Sequence, residues 1–333
     1  MNEQNLYHPV TIGNTHIQGN LFLAPLAGYT DVPFRSLCIE LGSDMTFTEM
    51  ISTEGLFRGG QKTLDLLQKA PNERAYAVQL FMGSTDSLPA ALEKLQAYEP
   101  AFIDINCGCP VPKVTKTGAG SSMMKNPPLI TEIVQTITQT TSIPVSVKFR
   151  TGWDANSQNY LQFAQAALDG GASMLTLHAR TRAQGYAPFA DWTTLRTLKE
   201  YCTNNGYDVP IFGSGDLFHA EDAKRMLQET GIDGIMFARG AIGNPFIFAQ
   251  ARDILEGREA RIISCEQRVA TIVRHLDLMI AHYGEKSACI QMRKHTCSYL
   301  KGIANSASIK MEIVKASKRE EYMEALGRLQ ASC

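Results

Sequence analysis

Eight short apolar runs at near-regular intervals constrain this chain more than any other feature. They cover residues 21–24, 45–48, 77–81, 102–105, 145–149, 174–177, 209–212 and 234–237, and their starts lie 24 to 43 positions apart. Such an interval holds one strand, one helix and two loops. The segments between them read as helices over 32–41, 87–98, 129–138, 158–169, 192–202, 219–229 and 245–255. Strands that are almost continuously apolar are buried on both faces, as in a parallel sheet. Eight such units predict an α/β fold, a (β/α)8 barrel of the TIM type. A doubly wound open sheet is the alternative, but it usually carries a glycine fingerprint after its first strand. Here the first strand runs into Pro25-Leu26-Ala27-Gly28, and Gly118-Ala119-Gly120 and Gly213-Ser214-Gly215 each lack the third glycine.

After Gly257 the β pattern stops. Val269, Ile272, Val273, Leu276 and Ile280 recur at three- and four-residue steps, the apolar stripe of an amphipathic helix. Helices are expected over 265–283, 288–303 and 318–329. The chain thus divides into a barrel domain, 1–257, and a small all-helical domain, 258–333. The overall charge of −1 conceals an asymmetry between the two. Residues 258–333 carry 13 Lys and Arg against 8 Asp and Glu, a net of +5, which leaves the barrel at −6. A basic segment on an acidic body points to a polyanionic partner, or more plainly to a solvated helical surface.

No run approaches the 18 apolar residues that a membrane span needs. The first 20 residues lack a charged-then-apolar signal pattern, so the expected compartment is the cytoplasm. The eight cysteines are dispersed except for Cys107 and Cys109, and the seven histidines are scattered. Neither a disulfide framework nor a metal site is expected, and nothing points to a protein partner.

In a barrel, polar residues at the C-terminal ends of the strands line the active site. Here the ends of the runs carry Glu49, Gln79, Asn106, Cys109, Lys148, Arg150, His178, Arg180, Asp216 and Arg239. Glycine-rich turns follow the seventh and eighth strands, and each opens a helix. Their backbone N–H groups can cradle a phosphate, and Arg239 adds a guanidinium fork. Lys148 lies between apolar neighbours, so it needs an anionic partner, either Glu49 or a cofactor. Gln79 offers a donor and an acceptor to the edge of a planar ring. Together these features fit flavin mononucleotide, whose reduced ring a lysine would stabilise. Cys109, between Gly108 and Pro110, is a thiol that can act as a general acid or a nucleophile, or simply fill space.

Several stretches are similar to the tRNA-dihydrouridine synthase family, and most of all to its bacterial B subgroup. They are Ala24-Pro25-Leu26-Ala27-Gly28-Tyr29-Thr30-Asp31-Val32-Pro33-Phe34-Arg35, the segments 104–110, 148–153, 178–182 and 237–245, and Arg293-Lys294-His295. The resemblance spans residues from about 20 to 325. It implies an enzyme that reduces the C5=C6 bond of uridine in folded RNA, using FMN and NADPH. By position, it implies FMN binding by Pro25, Leu26, Ala27, Gln79, Lys148, His178, Ser214, Gly215, Asp216, Ala238 and Arg239. It further implies Cys109 as proton donor, Asn106 and Arg182 at the uracil, and Arg293 and Lys294 in an RNA-gripping helical domain. The RNA would be tRNA, with ribosomal RNA as an alternative. A flavin barrel acting on a free pyrimidine and an RNA-binding barrel without catalysis are the other readings.

Overall fold

The computed structural model describes residues 5–304 and 306–331. It opens with an antiparallel hairpin, β1 (Val10–Ile12) and β2 (Thr15–Ile17), turning at Gly13-Asn14. Eight parallel strands follow: β3 (Leu21–Leu23), β4 (Ile51–Ser52), β5 (Ala77–Phe81), β6 (Phe102–Cys107), β7 (Val145–Arg150), β8 (Met174–His178), β9 (Ile211–Ser214) and β10 (Gly234–Phe237). Each pairs with the next from β4 to β10, and β10 pairs with β3. The ring closes through Phe22 opposite Met45 and Phe47 opposite Ala77. The fold is therefore the expected (β/α)8 barrel with a C-terminal helical region.

The second wall segment departs from expectation. Residues 45–48 stand in the wall, but they pair only at isolated bridges, and the regular strand β4 lies at 51–52. The ladder is interrupted because the Thr48 hydroxyl, rather than a main-chain carbonyl, accepts from the Gln79 N–H, at 3.1 Å.

Inside the barrel the lower layer is apolar. Phe22, Phe47, Phe102, Phe212, Met174 and Met236 are fully buried there, and the β1–β2 hairpin adds Val10, Ile12 and Ile17 to the same cluster. The layer above is polar: Gln79, Asp104, Ser146 and Thr176 are all at most 1% exposed. Among the described residues, seven helices cover the outer faces of the strands: Val32–Glu40, Leu88–Gln96, Pro127–Thr140, Tyr160–Asp169, Thr193–Asn204, Ala220–Thr230 and Ile247–Leu255. Asp31 caps the first by accepting from the Phe34 N–H at 3.0 Å. Short helices at Thr53–Arg58, Gln61–Asp65 and Pro112–Thr115 were not legible in the sequence, being too brief to show a period.

The helices Cys265–Tyr283, Glu285–Tyr299, Ser306–Ile313 and Arg319–Ala331 share a separate core of Ile272, Leu276, Met279, Met292, Tyr299 and Leu326. Leu37, from the first barrel helix, belongs to this core, which seats the helices on Val32–Glu40. Ser306–Ile313 was not expected. The barrel and the helical region approach closely at Gly243 (φ +73°), where a β-carbon would lie 2.4 Å from the Ser298 carbonyl carbon. Among the described residues no helix is long and apolar enough to cross a membrane.

Candidate active site

A cavity of about 520 Å³ opens at the C-terminal ends of the strands, a size suited to a cofactor or small ligand. Pro25, Leu26, Ala27, Gln79, Asn106, Cys109, Lys148, His178, Ser214, Gly215, Asp216, Ala238 and Arg239 all line it. Met50, Arg150, Tyr186 and Phe218 line it too and were not singled out beforehand as site residues, except that Arg150 stood at a strand end.

The cavity is cationic. Lys148, Arg150 and Arg239 line it, and among the described residues Asp216 is its only lining carboxylate. That carboxylate is already engaged. Arg180 donates to both of its oxygens at 2.7 and 2.5 Å, the Ala190 N–H donates at 2.7 Å, and Arg239 lies 3.5 Å away. What Asp216 can offer an anion is its backbone N–H. Arg239 is itself held flat, its guanidinium 4.1 Å from the Tyr186 ring centre and 5.0 Å from that of Phe218. Burial, and then the surrounding arginines and lysine, hold His178 neutral, well below the usual imidazole range.

Lys148 does not pair with Glu49. Glu49 instead accepts from the Gly28 N–H at 2.6 Å, in the loop after β3. The fixed charge nearest to Lys148 in effect is Asp104, fully buried one strand away. Burial pushes the Asp104 carboxyl up and the Lys148 ammonium down, and each favours the charged form of the other. Among the described residues no ion pair within 4 Å reaches the ammonium, and the buried Thr176 hydroxyl, in register with it, has no partner. A half-buried ammonium without an ion pair on the cavity wall suits an anionic ligand. Asp104 escaped the sequence reading because it sits inside an apolar run, although an acidic residue in such a run was itself a signal.

The thiol is fixed from three sides. Asn106 Oδ1 accepts from the backbone N–H groups of Gly108 (3.2 Å) and Cys109 (2.9 Å). Arg150 donates to the Gly108 carbonyl at 2.8 Å and to the Thr181 and Gly185 carbonyls at 3.0 and 3.1 Å, stapling two rim loops together. The Cys109 carbonyl accepts from the Ser121 backbone and hydroxyl, both at 3.0 Å. Gly120 (φ +60°) permits this packing, since a β-carbon there would lie 2.7 Å from the Cys109 oxygen. Burial pushes the Cys109 thiol up from its ordinary value, so it is a protonated acid at neutral pH.

Three residues expected to touch the RNA, Arg182 at the uracil and Arg293 and Lys294 in the helical tail, do not line the cavity. Arg182 is not among the cavity's lining residues; its guanidinium rests 4.5 Å from the centre of the Trp153 ring, whose other neighbour is Lys125 at 3.5 Å. Arg293 donates to the Ala316 carbonyl at 2.7 Å and the Lys315 carbonyl at 3.2 Å, beyond the end of Ser306–Ile313. A guanidinium there neutralises orphan carbonyls and is spent on the fold. Lys294 donates to the Gly28 carbonyl and lies 4.9 Å from the Tyr29 ring centre. It braces the loop after β3, whose Pro25, Leu26 and Ala27 form one wall of the cavity.

The dihydrouridine synthase (Dus) family model matches residues 22–332. A probable tRNA-dihydrouridine synthase of Treponema pallidum is 43% identical over 329 residues, covering 97% of this chain and 96% of the relative. tRNA-dihydrouridine synthase B of Pasteurella multocida is 32% identical, with 95% and 94% covered. Among solved structures, a 2-naphthoyl-CoA reductase complex superposes with a TM-score of 0.59 at 11% identity, over 77% of this chain and about half, 53%, of that one. That likeness is one of fold. The match across nearly the whole chain places it in the dihydrouridine synthase family.

Proposed function

We propose that this protein reduces the C5=C6 bond of uridine in tRNA, with FMN as its cofactor and NADPH as the electron donor. The observation that carries the reading is the cavity itself. It has a half-buried ammonium on its wall with no ion pair among the described residues, a glycine-rich cationic corner at one side, and a protonated thiol at its rim. The residues fit the cofactor. Lys148 and Gln79, which both line the cavity, would face the ring system. The backbone of 214–216 and 238–240, with Arg239, would hold the phosphate. When bound, FMN supplies a hydride to C6 of the pyrimidine. Cys109 holds the proton that C5 requires, and Asn106 and Arg150 keep its loop in place. His178, held neutral, adds no competing charge.

A paired or stacked uridine conceals its double bond, so the base must leave the stack to enter the cavity. Extrusion costs a few kcal/mol, and a second grip on the RNA offsets it. In this reading residues 1–257 carry out the chemistry and 258–333 grip the RNA. Arg293 is committed to main-chain carbonyls, so the grip falls to Lys294 together with Lys286, Lys301, Lys315 and Lys318, all exposed and outside every ion pair among the described residues. Lys301→Ala with Lys315→Ala should flatten the salt dependence of tRNA binding by about 0.7–0.9 in log–log slope for each phosphate no longer neutralised. An unchanged slope would place the grip elsewhere.

Arg239→Ala should weaken FMN binding about tenfold or more, because a charge-assisted hydrogen bond is removed, as read by flavin fluorescence titration of the apoprotein. The reading as a whole is tested by mapping dihydrouridine in total RNA with and without the gene. Loss at defined tRNA positions is the expected result. Loss confined to ribosomal RNA would move the target, and no loss anywhere would refute the assignment.

A further inference from the structure

Beneath the cavity a chain of side chains runs from β6 through β5 and back to the loop of Cys109. Asp104, 0% exposed, accepts from Gln79 Nε2 at 2.6 Å and from the Ser146 hydroxyl at 2.6 Å. Gln79 Oε1 accepts from Asn106 Nδ2 at 2.8 Å. Asn106 Oδ1 accepts from two main-chain N–H groups, those of Gly108 and Cys109. The sign of both ends is fixed by chemistry. A main-chain N–H can only donate, and an ionised carboxylate can only accept. Only one orientation of the two intervening amides satisfies both ends at once. In that orientation the Asn106 oxygen is consumed, and its second N–H has only the weak Met50 thioether for a partner, at 3.9 Å. Asn106 lines the cavity, so what it turns toward a ligand is a donor.

We propose that Asp104 is a specificity-positioning residue, which acts through Gln79 to fix Asn106 as a hydrogen-bond donor and so selects a pyrimidine with a carbonyl, not an amino group, beside the reacting carbon. This rests on the uridine reading above. C4 is bonded to C5, the atom that Cys109 would protonate, so the group holding the Cys109 backbone lies on the side of the C4 substituent. Uridine places an acceptor oxygen there, whereas cytidine places an N–H donor. Two donors facing each other in a buried site leave both unpaired.

The test uses FMN-loaded enzyme and unmodified tRNA transcripts carrying uridine or cytidine at the mapped position, with the ratio of their dissociation constants as the readout. The wild type is expected to favour uridine by about tenfold or more, the range set by one unpaired buried polar group. Asp104→Asn, whose carboxamide can both donate and accept, should bring the ratio toward one. Gln79→Met cuts the relay in the middle and should do the same, which keeps the test decisive if Asp104→Asn fails to fold. Ser146→Ala removes the other bond to the same carboxylate without touching the relay, and should keep the ratio. A wild-type ratio in Gln79→Met or Asp104→Asn, or an equal fall in Ser146→Ala, overturns the proposal. If the wild type forms no dihydrouridine in any RNA, the uridine reading itself fails, a result distinct from a failed relay.

Discussion

Alanine at position 109 is expected to lower dihydrouridine formation by about 10²–10⁴-fold, the usual contribution of a positioned proton donor, while NADPH still bleaches the bound flavin at close to the wild-type rate. The two readouts separate because the thiol is needed only where C5 takes up its proton. Removing Sγ also leaves the loop intact, because the anchors at Asn106, Arg150 and Ser121 all grip main-chain atoms of Gly108 or Cys109. The pH dependence carries a sign. An acid works while it is protonated, and burial raises this thiol's pKa. Dihydrouridine formation should therefore persist through neutral pH and fall only above the ordinary thiol range, in single-turnover assays on pre-reduced enzyme. Wild-type rates of dihydrouridine formation in the alanine variant would remove Cys109 from the chemistry.

Glu73→Ala should cost about 3–5 kcal/mol of stability, the range for breaking a buried ion pair from one side. Arg35 and Glu73 are 1% and 2% exposed. The guanidinium donates to Glu73 at 2.8 Å, to the Thr30 carbonyl at 3.1 Å and to the Gln68 carbonyl at 2.6 Å. Glu73 also accepts from the Thr46 hydroxyl and the Ala70 N–H. The pair thereby ties the first barrel helix to the irregular second wall segment, where the backbone ladder is thinnest. Removing the carboxylate strands a buried positive charge. Replacing both partners, Arg35→Met with Glu73→Leu, should cost much less, because no unpaired charge remains. Denaturant midpoints of the two variants measure the difference, and equal losses would refute this account.

The same pair shows why some of the molecule was readable and some was not. Arg35 belongs to a stretch that marks the family, yet nothing in the sequence distinguishes an arginine that touches a ligand from one that holds a helix. Lys294 and Arg293 raise the same difficulty. Both are cations in a basic segment, and both donate to carbonyl oxygens. Cys109, Lys148 and Arg239 could be read because strand ends in a barrel converge, so position along the strand alone brings them to one cavity. The role of Asp104 could not, because its partners lie 25 and 42 residues away on neighbouring strands.

What the amino-acid order determined was whatever depends on local periodicity: the eight wall segments, the helices between them, the switch to helix after Gly257, and the set of polar groups at the strand ends. Apolar runs of that length bury themselves in only a few ways, and parallel closure is one of them. What only the tertiary structure decided was how each charge is used, because the partner that neutralises or orients a charge comes from a distant part of the chain. The donor sense of Asn106, the anchoring of Lys294 at Gly28 and the commitment of Asp216 to Arg180 all belong to that second kind.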